Sequence, residues 1–243
     1  MTFEEAPGPD GIERALVVMA HPDDVDFGAA GTVATWTDAG VEVSYCLLTS
    51  GDAGGFDDTP RDQMRTLREK EQRAAAAVVG VTDVTFLGFP DGALYLTHEL
   101  RRAVTRQIRR VRPQRVLCQS PERDYEAMAR SHPDHRVAGG AALDAVYPDA
   151  RNPFAHPELL ADEGLEAWTV GQVWIAGGPD ANSYVDTTAT FDRKVSALRE
   201  HVSQTGHLDD LETRLRGWGE RSATAAGLPA GHVAERFRVI FVS

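Results

Sequence analysis

Cysteine, lysine, surplus positive charge and long apolar runs are all scarce in this chain, and each shortage closes off a class of explanation. Two cysteines occur in 243 residues. Cys46 sits in YCLL and Cys118 in VLCQ, so neither belongs to a metal-ligand spacing or a disulfide framework, and both read as core thiols. Only two of the 25 basic residues are lysine (Lys70 and Lys194), a bias that reflects genome composition more than function. A net charge of −12 speaks against a nucleic-acid partner, because that binding is driven by Lys and Arg neutralising phosphates. It speaks equally against an anionic membrane surface. No apolar run approaches the ~20 residues that span a bilayer. The opening MTFEEAPGPDG is acidic and rich in Pro and Gly, the opposite of a secretory leader. The expectation is a cytoplasmic protein with residues 1–12 flexible.

What is present suits a globular enzyme. Hydrophobic residues make up 42% and charged residues 26%, an ordinary balance for a packed core. Short apolar runs alternate with helix-like segments. Ala15 to Ala20 reads as a strand buried on both faces, followed by a helix from Gly28 to Ala39 that stops at Gly40. Further strands are expected at Val41–Thr49, Val84–Leu87 and Arg115–Gln119, with helices at Arg61–Val79, His98–Val111 and His135–Val146. Beyond an irregular, proline-containing stretch from Pro148 to Gly164 come short strands at Gly171–Ala176 and Ser183–Asp186. Helices at Phe191–Gln204 and Leu208–Ala225 and a last strand at Phe237–Val242 complete the reading. Strand, loop and helix in repetition predict an α/β fold: a Rossmann-like, mostly parallel sheet with helices on both faces. Neither an internal repeat nor a linker interrupts it, so residues 1–243 read as a single domain.

Ligands of open α/β sheets bind beyond the carboxyl ends of the strands. Four polar loops follow predicted strands: His21-Pro22-Asp23-Asp24, Ser50-Gly51-Asp52-Ala53-Gly54, Pro90-Asp91-Gly92 and His132-Pro133-Asp134-His135. The two H-P-D tetrads are the sharpest signal. His21 and Asp24 are spaced so that a tight turn can aim both at one point, and imidazole nitrogen and carboxylate oxygen each bind zinc at about 2.0–2.2 Å. One more protein ligand would leave a position for water, as a catalytic site requires. Both His132 and His135 are candidates for it. A single tetrad is equally well explained as a helix-capping turn with Asp24 as cap. Two such tetrads at two strand ends are not. The run GDAGG lacks the order of a dinucleotide fingerprint, so no dinucleotide cofactor is expected.

The stretches AHPDDVDFGAAGT, TSGDAGG, LREKEQRAAAAVVG, FLGFPDG, SHPDH and ALREHVSQ together resemble the LmbE-like, or PIG-L, family of zinc-dependent de-N-acetylases. That resemblance implies hydrolysis of an N-acyl bond, commonly N-acetyl, on a small sugar-containing substrate. Alternatives are an amidase of a larger conjugate, of the mycothiol-conjugate or glycopeptide-antibiotic kind, and a non-catalytic metal-containing binding module. It implies Zn2+ as cofactor, with Fe2+ or another divalent ion also suited to two histidines and an aspartate. By matching positions, His21, Asp24 and His135 would hold the metal and Asp23 would be the general base. His132 would stabilise the oxyanion or protonate the leaving amine, with Asp134 orienting it. Relatives range from monomers to larger assemblies, which leaves a homo-oligomer open.

Many members carry Glu directly after HPDD; here Val25 follows and Asp26 comes next. Two residues before the second tetrad, where sugar-processing relatives have Tyr, stands Arg130, which could meet an anionic substrate group. As a bare residue Arg68 reads as a solvated helix charge beside Glu71 or Gln72; the resemblance makes it a sugar contact. Asp52 shapes its loop or meets substrate, Asp91 fits a turn or a binding role, and His201 has no assigned mechanism.

Overall fold

The computed structural model describes residues 4–126, 128 and 131–242. The strands are β1 (Glu4–Glu5), β2 (Arg14–Met19), β3 (Glu42–Thr49), β4 (Asp83–Phe89), β5 (Arg115–Gln119), β6 (Gln172–Ala176), β7 (Ser183–Asp186) and β8 (Ala234–Phe241). Among the described residues they make one eight-stranded sheet in the order β1-β7-β8-β6-β5-β2-β3-β4. From β4 to β6 every pairing is parallel. The chain leaves β2 toward β3 and β4 on one side and later returns to β5 and β6 on the other. The sheet therefore has its switch point between β2 and β5, where such sheets open a crevice.

The run ALVVMA explains why β2 is central. Side chains alternate across a strand, so Ala15, Val17 and Met19 enter one apolar cluster and Leu16, Val18 and Ala20 the other. On the first face lie α1 (Asp24–Asp38) and α2 (Arg61–Val78); on the second lie α3 (His98–Val111) and α4 (Pro133–Asp144). The short α5 (Glu158–Ala161) follows, then α6 (Phe191–Glu200), which packs across α1 and α2. Small α7 (Val202–Thr205) and longer α8 (Leu211–Ala225) lead into β8. Cys46 and Cys118 are both buried, and burial pushes each thiol up to about 12, so neither is a reactive thiolate. Among the described residues no helix is long and apolar enough to cross a membrane.

Several boundaries differ from the sequence expectation, for local reasons. β8 is antiparallel to both β6 and β7, so the sheet is mixed at that edge. Within the leading segment, expected to be flexible, Glu4 and Glu5 pair in parallel with β7, and Arg115 donates to the carbonyls of Pro7 and Gly8. Helix α1 begins at Asp24 rather than Gly28, because the turn is completed inside the tetrad. Helix α4 begins at Pro133, two residues before the expected His135; proline's fixed φ suits the first helical turn. The expected helix Phe191–Gln204 breaks at His201, where ψ turns to 58°.

Candidate metal centre and active site

The four loops do meet at the carboxyl edge of the parallel strands. Two close approaches bring them together. At Gly139 on α4 an added Cβ would lie 2.8 Å from the backbone nitrogen of Pro121, so only glycine lets this helix sit against the end of β5. In the loop after β3, a methyl at Gly51 or Gly54 would collide with the guanidinium of Arg68, and Gly51 also has φ +67°. The glycines of TSGDAGG thus make room for one arginine.

At the centre stand three imidazoles and a carboxylate. His21, His132 and His135 have ring centroids 5.1–5.2 Å apart, and each offers a nitrogen within 4.8 Å of the others. Asp24 lies between two of them: Oδ2 is 3.2 Å from His21 Nδ1 and Oδ1 is 3.0 Å from His135 Nε2. A tetrahedral ion with bonds of about 2.0–2.2 Å spaces its ligand atoms roughly 3.4 Å apart. The donor types and this spacing fit a divalent cation.

His21 has carboxylates on its other side too. Its Nε2 is 3.0 Å from Asp91 Oδ1 and 3.4 Å from Asp134 Oδ2. Burial by itself would lower a histidine, but the Asp24 charge and hydrogen bonds with Asp134, Asp24 and Asp91 override it and push His21 up to about 12. The carboxyls respond in the opposite sense. Burial would raise Asp24, yet its two histidines hold it far below the carboxylate range. Against the same penalty of burial, Asp91 is drawn down to about 2, first by its hydrogen bond with His21. Such a concentration of anions asks for positive charge at His21, which a proton or a bound cation supplies. Asp91 and Asp134 are already engaged by the backbone, Asp91 by Ala53 N–H at 2.7 Å and Asp134 by Gly92 N–H at 2.8 Å. They orient His21, as carboxylates behind a ligating imidazole commonly do.

This corrects one assignment. Asp134 was expected to orient His132; its carboxylate instead faces His21, and only its backbone N–H reaches His132, at Nδ1, 3.2 Å away. That bond leaves the proton of a neutral His132 on Nε2. Burial and then the neighbouring His21 and His135 lower the pKa of His132, favouring the neutral ring. Asp91 sits in a turn, as its sequence suggested, and its carboxylate also faces His21.

Arg68 is corrected more sharply. It is not a solvated helix charge: 4% exposed, it donates to Gly51 O (2.8 Å), Pro22 O (2.8 Å) and Asp23 Oδ2 (3.1 Å). Asp23 has φ 83°, in the left-handed region, which Asp tolerates better than most residues. Burial raises its carboxyl to about 6 even though Arg68 pulls the other way. Asp52 ties the Gly-rich loop to the start of α2, accepting from Arg61 Nε at 2.9 Å. Arg130 lies outside the described residues.

The contacts linking Gln72, Asp26 and His201 were not expected from sequence. Gln72, fully buried, accepts from Asp23 N–H at 2.7 Å and donates to Asp26 Oδ2 at 2.9 Å. The same Asp26 oxygen is 2.8 Å from Nε2 of His201, which is fully buried. A signal existed for Gln72, which stands four residues after Arg68 and shares its helix face.

Comparison with known proteins agrees with this picture. A family model described as PIG-L: GlcNAc-PI de-N-acetylase matches residues 16–146. Over 194 residues the chain is 33% identical to the diacetylchitobiose deacetylase of Thermococcus kodakarensis, covering 79% of this chain and 70% of that one. A probable N-acetyl-alpha-D-glucosaminyl L-malate deacetylase 2 of Bacillus cereus is 30% identical over 212 residues, covering 84% and 89%. Among solved structures, the N,N'-diacetylchitobiose deacetylase from Pyrococcus horikoshii superposes with a TM-score of 0.87 at 29% identity, covering 98% of this chain and 87% of that one.

Proposed function

This chain belongs to the PIG-L family, and from that premise we propose that it is a zinc-dependent hydrolase removing an N-acetyl group from a small amino-sugar compound. The observation that carries the reading is the Asp24 carboxylate held between His21 Nδ1 and His135 Nε2, with Asp23 beside it in the chain. His21, Asp24 and His135 would hold the ion. When bound, it acidifies a water and polarises the amide carbonyl, the two things a resistant amide needs.

The remaining work falls to the chain itself. Asp23, with a carboxyl raised to about 6, takes the proton from the attacking water at Oδ, in the range where a general base is effective. Arg68 and Gln72 keep that carboxyl at its place, one through the side chain and the other through the backbone N–H. His132, with Nδ1 occupied by the Asp134 N–H, presents Nε2–H to the charge that develops on the carbonyl oxygen, and the proton taken by Asp23 passes to the departing nitrogen. Acetate and a free amine leave.

The test is a purified enzyme assayed for free amine on N-acetylglucosamine, N,N'-diacetylchitobiose and larger amide conjugates, with elemental analysis alongside. Amine release from the sugars together with about one zinc per chain is the expected result. Release from the conjugates alone would favour the amidase alternative; no release and no divalent metal would refute the reading.

A further inference from the structure

The cleft that opens at Asp24 and His135 continues well beyond them. It encloses about 790 Å³ and runs past Phe27 and Gly28 at the start of α1 to Trp218 and Arg221 on α8. Pockets for drug-sized ligands span about 300–1,000 Å³, so this one has room for more than an acetamido group on one sugar ring. Its distal wall is built from α8 and the lead-in to β8, which lie outside the residues matched by the family model.

Of the four tryptophans, Trp36 and Trp174 are core residues and Trp168 is half-buried; Trp218 alone is exposed, at 48%. It is not a loose surface ring. Phe27 supports it, with ring centroids 6.5 Å apart at 53°. Gly219, next in the chain, lets α8 approach so closely that an added Cβ would lie 2.8 Å from Val233 Cβ. Leu215, on the same helix, is buried with Phe191, Leu198 and Val233. The helix is therefore pinned on both sides of Trp218, and the indole is held open toward the cleft. Arg221 and Ser222 add polar groups to the same wall. An exposed aromatic with polar neighbours in a concave site marks a ligand contact. Sugar rings carry a face of C–H groups and a rim of hydroxyls, and this wall matches both.

We propose that Trp218 is the platform of a second subsite, which stacks a hydroxyl-bearing ring linked to the anomeric carbon of the N-acetylated sugar. The enzyme then selects glycosides and disaccharides over the free monosaccharide. The nature of the first ring rests on the deacetylase reading above; the platform rests on α8 alone.

Two measurements test it. In the first, kcat/KM is compared for N,N'-diacetylchitobiose and N-acetylglucosamine. The wild type is expected to favour the disaccharide, and Trp218→Ala to lower that ratio about tenfold, a stacking-sized effect, chiefly through KM. Trp218→Phe, which keeps a ring, retains most of the preference and covers the case in which the alanine variant does not fold. In the second, quenching of indole fluorescence is followed with the fully de-N-acetylated disaccharide, which cannot turn over. Quenching is expected in the wild type and is lost in Trp218→Phe. A ratio unchanged in Trp218→Ala, or a wild type that deacetylates both sugars equally, overturns the platform and leaves the deacetylase reading standing. A wild type that deacetylates neither sugar but shows the Trp218-dependent quench keeps the platform and overturns that reading.

Discussion

The tetrads His21-Pro22-Asp23-Asp24 and His132-Pro133-Asp134-His135 share three letters and part company in backbone. In the first, the helix waits until Asp24, and Asp23 sits at φ 83° with no side-chain cap. In the second, the helix starts at Pro133, His132 caps it by accepting the Asp134 N–H, and Asp134 is helical. The third letter accordingly meets different partners. Asp23 pairs with Arg68; Asp134 turns inward to His21 Nε2 and the N–H groups of Gly92 and Leu94. A left-handed non-glycine residue costs on the order of 1–3 kcal/mol, and Gln72 and Arg68 hold the first turn in that state from α2. The comparison teaches that a motif letter acquires its task from the backbone it is placed on. In the proposed mechanism one aspartate is thereby freed for chemistry and its counterpart made a support.

The sharpest way to break this contrast is at the first letter. His21→Ala removes a ligand and the group around which Asp91 and Asp134 are organised. Its zinc content should fall to background and deacetylation by more than roughly a thousandfold; a variant that keeps its metal would refute the ligand assignment. Next comes the third letter of the first tetrad. Asn tolerates the left-handed region as Asp does, so Asp23→Asn should fold and keep its metal while kcat falls about 10²–10⁴-fold, the span of general base catalysis. The matching change in the second tetrad, Asp134→Asn, should act on the metal instead, weakening zinc affinity about 10–100-fold as loss of such a carboxylate does. If competition with a chelator showed equal affinities for Asp134→Asn and wild type, the proposed division between the two aspartates would collapse. Smallest is a stability effect. His132→Ala removes a helix cap and should cost about 1 kcal/mol in urea unfolding, beyond any loss of activity.

Much of this was legible in the chain. The order of strands and helices from Ala15 to Val146 follows from apolar periodicity, and the tetrads announce themselves because their spacing is covalent. What stayed hidden depends on distant partners. Asp26 and His201 are 175 positions apart, and nothing near either one indicates the other. Arg68 looked like a surface charge because a helix pattern shows spacing and not which face a Gly-rich loop will cover. His156, which belongs to none of the motifs, is 5% exposed and lies 3.3 Å from Asp149. The antiparallel β8 was beyond reach for a related reason, since strand direction in a sheet is a property of pairing.

By itself, then, the sequence determined which residues stand at the ends of parallel strands, because hydrophobic period and turn chemistry are local. It also determined the donor types offered there, and with them the class of chemistry. Only the tertiary structure decided that Asp91 and Asp134 back His21, that Arg68 and Gln72 hold Asp23, and that an indole 194 positions from Asp24 shares its cleft. Those facts arise from the packing of α2, α4 and α8 against the sheet, where contacts are made by surfaces and not by spacing along the chain.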